Sequence, residues 1–149
     1  PITTGDSSLS ASIQSIVASE IGEEATACDY LDHAILVDLA DVAGNASDGL
    51  HIASAAGSWM ALVFGFGGVR DFDGQLTFDP RLPQRFRSLG FSLRFHDRQL
   101  RIQLSHDEES YRLDEGEPLE IVVRGRRHLL GVDDPVIGST NRRPDEDAS

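Results

Sequence analysis

WMALVFGFGGVRDFDGQLTFDP, from Trp59 to Pro80, contains a change of period. Up to Phe66 the apolar residues fall at helical spacing: Ile52, Ala55, Ala56, Trp59, Leu62, Val63 and Phe66 form one stripe, which Gly65, Gly67 and Gly68 bring to an end. Beyond Val69 the period is two, Leu76 and Phe78 alternating with Gln75, Thr77 and Asp79. Helices are therefore expected before a boundary near Val69, and half-buried strands after it.

Toward the N-terminus two more helical stripes are legible. Leu9, Ile13, Ile16, Val17 and Ile21 share a face, with Ser7, Ser8 or Ser10 available as N-cap and Gly22 as a stop. A second stripe, Ala27, Tyr30, Leu31, Ala34, Ile35 and Leu39, starts from about Glu23 with acidic residues in its first turn and runs out between Asp41 and Gly44. Small residues at Ala53, Ala55, Ala56 and Gly57 allow close helix packing, and Trp59 is expected in the core of its helix. Cys28 reads as a small buried hydrophobe rather than a nucleophile.

Toward the C-terminus the alternation continues. Phe91, Leu93 and Phe95, then Leu100, Ile102 and Leu104, make two strands joined by a hairpin turn at His96-Asp97-Arg98. Tyr111 to Leu113, Leu119 to Val123 and His128 to Leu130 supply shorter strands, and Pro80 and Pro83 mark a connection. Arg124, Arg126 and Arg127 read as a solvated strand edge or an ion-pair rim. The expected class is α+β: two to three helices, then an antiparallel β-sandwich. Residues 1–69 form the helical part, 70–131 the sandwich, and 132–149, where the apolar pattern fades, a flexible tail.

Charge is divided at the same place. The net charge is -12; residues 1–69 hold nine acidic residues and no Lys or Arg, and all thirteen basic residues are Arg from Arg70 onward. Such a balance argues against nucleic acid and against an anionic membrane surface as partners. No apolar run approaches the roughly 20 residues of a membrane span. A single cysteine excludes an intrachain disulfide and any cysteine-based metal motif, and fits a reduced, cytoplasmic setting. The N-terminus lacks an initiator Met and the regions of a signal peptide, so it reads as a cut within a longer chain. Helices carrying only acidic charge are poorly suited to a core of their own, which points to the end of a larger helical domain.

Three segments in order, TTGDSSLS (Thr3–Ser10), DLADVAGNASDGLHIASAAGSWMALVFGFGGVR (Asp38–Arg70) and LTFDPRLP (Leu76–Pro83), resemble the C-terminal region of glycoside hydrolase family 65. The resemblance implies the last helices of an (α/α)6 catalytic barrel followed by a β-sandwich. It implies an α-linked glucose disaccharide, trehalose- or maltose-like, cleaved with inversion by phosphate or by water. It places the general acid, a Glu, on the upstream barrel of the same polypeptide; no segment of residues 1–149 matches its motif, so no catalytic residue is assigned here and the isolated chain is expected to be inactive. No cofactor is implied beyond inorganic phosphate as co-substrate, and dimers are implied.

The resemblance also suggests a site. Ser7 and Ser8 match hydroxyl positions of a segment that holds phosphate before a barrel helix, and hydroxyls with free N–H groups at a helix N-terminus suit an anion. The sequence departs from the pattern at Gly5, in place of His, and at Asp6, in place of Gly. A carboxylate beside phosphate repels it, whereas Asp6 in a hydrolytic variant could activate water. His51, at the mouth of the third helix, either braces its loop or contacts substrate or phosphate. Ser7 and Ser8 can serve as caps with the same atoms that would meet an anion. The competing expectation is a non-catalytic sandwich that binds carbohydrate or another protein.

Overall fold

The structure is a computed structural model that describes residues 10–39 and 52–139. Its chain divides into two compact units, Pro1–Gly68 and Val69–Ser149.

In the first unit, helix α1 runs Ser10–Glu20, α2 Glu24–Leu39 and α3 Ile52–Met60, and α3 passes into a π-helical segment, Ala61–Phe66. Gly22, at φ 84°, stops α1: its N–H donates to the Ser19 carbonyl (3.1 Å), and the Glu23 N–H donates to the Ala18 carbonyl (2.9 Å). That is a Schellman closure, and it needs the left-handed conformation that glycine adopts freely. The π segment closes with the Gly67 N–H on the Leu62 carbonyl at 2.8 Å, one residue wider than an α-turn.

α1 is turned opposite to the expectation. Its buried residues are Ala11, Ser12, Ser15, Ala18 and Ser19, while Ile13, Val17 and Ile21 are 50%, 50% and 70% exposed. The small face lets neighbouring backbones come close. A Cβ added at Gly65 of the π segment would lie 3.4 Å from Ile16 Cα, and Ser15 Oγ donates to the Ala27 carbonyl at 2.8 Å. α2 contributes Ala27, Cys28, Leu31 and Ala34 to this packing, so Cys28 is buried as expected. Trp59 is 45% exposed instead of buried, and meets Phe64 edge-on with centroids 5.8 Å apart.

In the second unit the strands are β1 Val69–Phe72, β2 Gln75–Phe78, β3 Ser88–Phe95, β4 Arg98–Ser105, β5 Glu108–Glu115, β6 Leu119–Val123, β7 Arg126–Leu130 and β8 Val136–Ser139. They form two four-stranded sheets, β1-β2-β6-β7 and β3-β4-β5-β8. Leu76, Phe78, Ile121, Val123 and Leu130 of the first sheet are buried together with Leu100, Ile102, Leu104, Tyr111 and Leu113 of the second. Phe78 and Tyr111 meet across the gap at 4.9 Å between centroids.

Three two-residue hairpins fix the register: Asp73-Gly74 between β1 and β2, His96-Asp97 between β3 and β4, and Arg124-Gly125 between β6 and β7. All six turn residues have positive φ, as type I′ turns require to match the twist of the strands. The expected all-antiparallel arrangement is corrected at one place, because β2 and β6 pair in parallel. This pairing joins strands distant in sequence, which no local pattern encodes. The expected flexible tail, 132–149, is corrected at Val136–Ser139, which form β8 against β5; residues 140–149 lie outside the described residues. Gly138 makes room there, since a Cβ on it would lie 3.0 Å from Glu109 Oε1 and 3.1 Å from Glu109 Cγ.

Candidate functional site

Ser7, Ser8, Asp6 and His51 lie outside the described residues. What the structure places is the helix that follows each group. α1 begins at Ser10, directly after the segment that holds Asp6, Ser7 and Ser8, and α3 begins at Ile52, directly after His51. α1 and α3 pack against each other. The first backbone N–H groups of a helix have no intrahelical acceptor and lie at the positive end of its dipole. The first turn of α1 carries no acidic residue to occupy that end. Ser12, in the same turn and 1% exposed, has an Oγ with no hydrogen-bond partner among the described residues. A helix start with these properties suits an anion.

A second polar constellation lies inside the sandwich, and the sequence reading missed it. Glu109 of β5 is 3% exposed. Its Oε2 accepts a hydrogen bond from the Tyr111 hydroxyl at 3.2 Å, and its Oε1 lies 3.4 Å from Arg124 Nε, a charge contact without hydrogen-bond alignment. Arg124 Nη2 donates to the Pro80 carbonyl at 2.9 Å, Nη1 lies 3.7 Å from Asp79 Oδ1, and the Arg124 N–H donates to the Phe78 carbonyl at 2.8 Å. Desolvation by burial, and then the Glu109 charge, push the Tyr111 phenol far above its ordinary range, so it remains a proton donor to Glu109.

This group joins the second sheet, through β5, to the β6–β7 turn and the segment after β2 in the first sheet. Its chemistry is that of a brace, because its strongest donors and acceptors are turned on one another. Of the two alternatives expected, Arg124 is thus an ion-pair residue, with Asp79 and Glu109, rather than a solvated strand edge, and Arg127 is an exposed ion-pair residue, 2.8 Å from Glu120. One signal was available: Glu109 has the parity of Tyr111 and Leu113, which places it on the inward face of β5. No group of three or more His, Cys, Asp or Glu is placed to hold a metal ion among the described residues. No helix among them is long and apolar enough to cross a membrane.

Comparison with known proteins agrees with this architecture unit by unit. Residues 1–60 match the glycosyl hydrolase family 65 central catalytic domain, and residues 69–130 match the glycosyl hydrolase family 65 C-terminal domain. The chain is 44% identical over 130 residues to an alpha,alpha-trehalose phosphorylase of Thermoanaerobacter brockii, covering 87% of this chain and 17% of that protein. It is 35% identical over 142 residues to a kojibiose phosphorylase of Halothermothrix orenii, covering 92% of this chain and 18% of that one. A solved structure described as a putative kojibiose phosphorylase from the human microbiome superposes with a TM-score of 0.84 at 32% identity, over 93% of this chain and 19% of its own. The chain thus spans under one fifth of the length of these relatives, and it belongs to glycoside hydrolase family 65, with residues that match the central catalytic domain followed by residues that match the C-terminal domain.

Proposed function

We propose that the chain is the C-terminal part of an inverting α-glucoside phosphorylase, trehalose-like in substrate, that works in the cytoplasm. The observation that carries this is the 44% identity to a trehalose phosphorylase across both units, against 35% to a kojibiose phosphorylase. In the proposed reaction a phosphate oxygen attacks the anomeric carbon, the bond from that carbon to the glycosidic oxygen breaks, and the upstream Glu protonates the departing oxygen. The catalytic barrel that supplies this Glu is proposed to precede Pro1 in the same polypeptide, and the whole to act as a homodimer. No cofactor is needed, because phosphate itself is the second substrate.

The contribution of this chain is to hold phosphate. Ser7 and Ser8 supply hydroxyl donors, the first N–H groups of α1 add to them, and His51 approaches as a third contact. Asp6 opposes phosphate by its charge, so the anion sits on the hydroxyls and N–H groups and away from that carboxylate. The start of α1, with no acidic residue in its first turn, supports this assignment.

The test uses a chimera in which this chain replaces the matched 17% of the Thermoanaerobacter brockii trehalose phosphorylase. Hydrogen bonds to a charged group contribute about 1.5–3 kcal/mol, so Ser7→Ala or Ser8→Ala should raise KM for phosphate roughly tenfold to hundredfold and leave KM for trehalose within about twofold. Equal effects on both constants would remove the phosphate assignment.

A further inference from the structure

We propose that the free edge of β3 is a docking site for a short, extended, acidic peptide segment of another protein, which adds to the β3-β4-β5-β8 sheet as a further antiparallel strand.

β3 ends its sheet, and its eight residues pair only with β4, whereas the other edge strands, β1, β7 and β8, have four, five and four residues. The turn at His96-Asp97 closes on Phe95 and Arg98, so Phe95, Leu93, Phe91 and Leu89 are the residues that exchange hydrogen bonds with β4. Ser88, Gly90, Ser92 and Arg94 therefore turn their N–H and C=O groups away from β4, and none of these groups has another backbone partner among the described residues. Edge strands are normally blunted by shortness, proline, a bulge or charge. β3 keeps its register over all eight pairs, has no proline, and carries Arg94 as its one charged side chain.

The apolar side of the strand is unfinished as well. Leu100, Ile102 and Leu104 of β4 are fully buried, whereas Leu93, Phe91 and Leu89 directly opposite them on β3, and Phe95 beyond, are only half-buried. An added strand with apolar residues at alternate positions would cover them, and its backbone would satisfy the open N–H and C=O groups.

Charge selects the partner. In a chain of net charge -12, residues 80–96 hold four Arg and no Asp or Glu. Arg87, just before the strand, and Arg94, near its end, are exposed, and neither side chain has an ion-pair or hydrogen-bond partner among the described residues. The stretch between them spans about 24 Å when extended. A segment of about eight residues with an acidic residue near each end fits that span. A second copy of β3, paired antiparallel along the strand, would instead bring Arg94 of each chain toward Arg87 of the other, and like charges across a strand pair are destabilising.

The probe is a synthetic peptide of alternating valine and threonine between two glutamates, about eight residues long. It is titrated by calorimetry into the full 149-residue chain and into the chimera, with amide exchange followed at Gly90, Ser92 and Arg94. Saturable binding to both proteins and slowed exchange at these three amides are expected, with a loss of roughly tenfold or more when lysines replace the glutamates. Arg94→Glu should weaken the acidic peptide by roughly tenfold and strengthen the lysine peptide. Ser92→Pro removes an N–H that the β3–β4 ladder does not use, so it should abolish binding in a chain that still melts cooperatively; if that variant does not fold, Arg94→Glu decides alone. Equal binding of the two peptides, no binding, or unchanged exchange at the three amides would overturn the proposal. Binding to the isolated chain but not to the chimera would overturn it too, because the rest of the enzyme would then cover the edge. Sedimentation of the free chain as a dimer with those amides already protected would make a second copy the occupant and overturn it likewise.

Discussion

Arg124 is the residue whose removal most directly probes the brace inside the sandwich. Arg124→Met keeps an unbranched stem as far as the position of Nε, removes the guanidinium and its charge, and leaves Glu109, 3% exposed, with the Tyr111 hydroxyl as its hydrogen-bond donor and no cation beside it among the described residues. Breaking a buried ion pair costs about 3–5 kcal/mol, and an exposed pair about 0–1 kcal/mol. The Arg124 side chain is 24% exposed and the Glu109 side chain 4%, so the pair lies nearer the buried limit. A loss of about 3 kcal/mol is expected, of which about 1 kcal/mol is the lost bond from Nη2 to the Pro80 carbonyl. For a unit of this size, about 3 kcal/mol lowers Tm by roughly 12–24 °C. Glu109→Gln still accepts from Tyr111 and should cost less, about 1–2 kcal/mol. The double variant should be less destabilised than the sum by at least about 1 kcal/mol, because each change relieves the charge that the other strands. Thermal melts at several pH values between 6 and 8, followed by near-ultraviolet circular dichroism, give all four corners of the cycle. Additive losses, or a loss below about 1 kcal/mol for Arg124→Met, would refute a brace based on charge.

Three further outcomes follow from the same unit. The folded phenol of Tyr111 holds its proton more tightly than an unfolded tyrosine, so its contribution is fully present below about pH 10 and is lost as pH rises beyond it. Tyr111→Phe should flatten the fall of Tm between pH 9.5 and 11, and an unchanged slope would count against it. Gly138→Ala drives a Cβ to 3.0 Å from the Glu109 carboxylate and should destabilise by roughly 1–3 kcal/mol, but add no further loss to a Glu109→Ala variant. His96 and Asp97 stand at φ 45° and 61°, and replacing the pair by Asn-Gly should raise stability by about 1 kcal/mol in denaturant melts.

The sequence carried the elements better than their surroundings. Alternation at Phe91, Leu93 and Phe95 and at Leu100, Ile102 and Leu104 marks β3 and β4 because one face of each strand is apolar. β1 escapes the same test: only Val69 of Val69–Phe72 is buried, so no alternation develops, although Asp73-Gly74 offered a hairpin signal. β8 escapes because its place depends on a glycine opposite Glu109, a contact distant in sequence. The stripe on α1 was visible, but a stripe shows that a face needs a partner and not which molecule segment provides it. For Arg124 the ion pair was among the expected alternatives, but its partners were not legible, because Asp79 and Glu109 are distant from it in sequence. Ser7, Ser8, Asp6 and His51 were chosen by family resemblance, and the helix starts beside them are the local physics that makes the choice testable.

The most direct measurement is sugar release by the chimera on trehalose, with and without inorganic phosphate. The proposed activity predicts glucose and glucose 1-phosphate in equal amounts, formed only when phosphate is present. Glucose alone at the same rate without phosphate would identify a hydrolase, and a folded chimera that releases no sugar under conditions where the parent trehalose phosphorylase is active would contradict the proposed function outright.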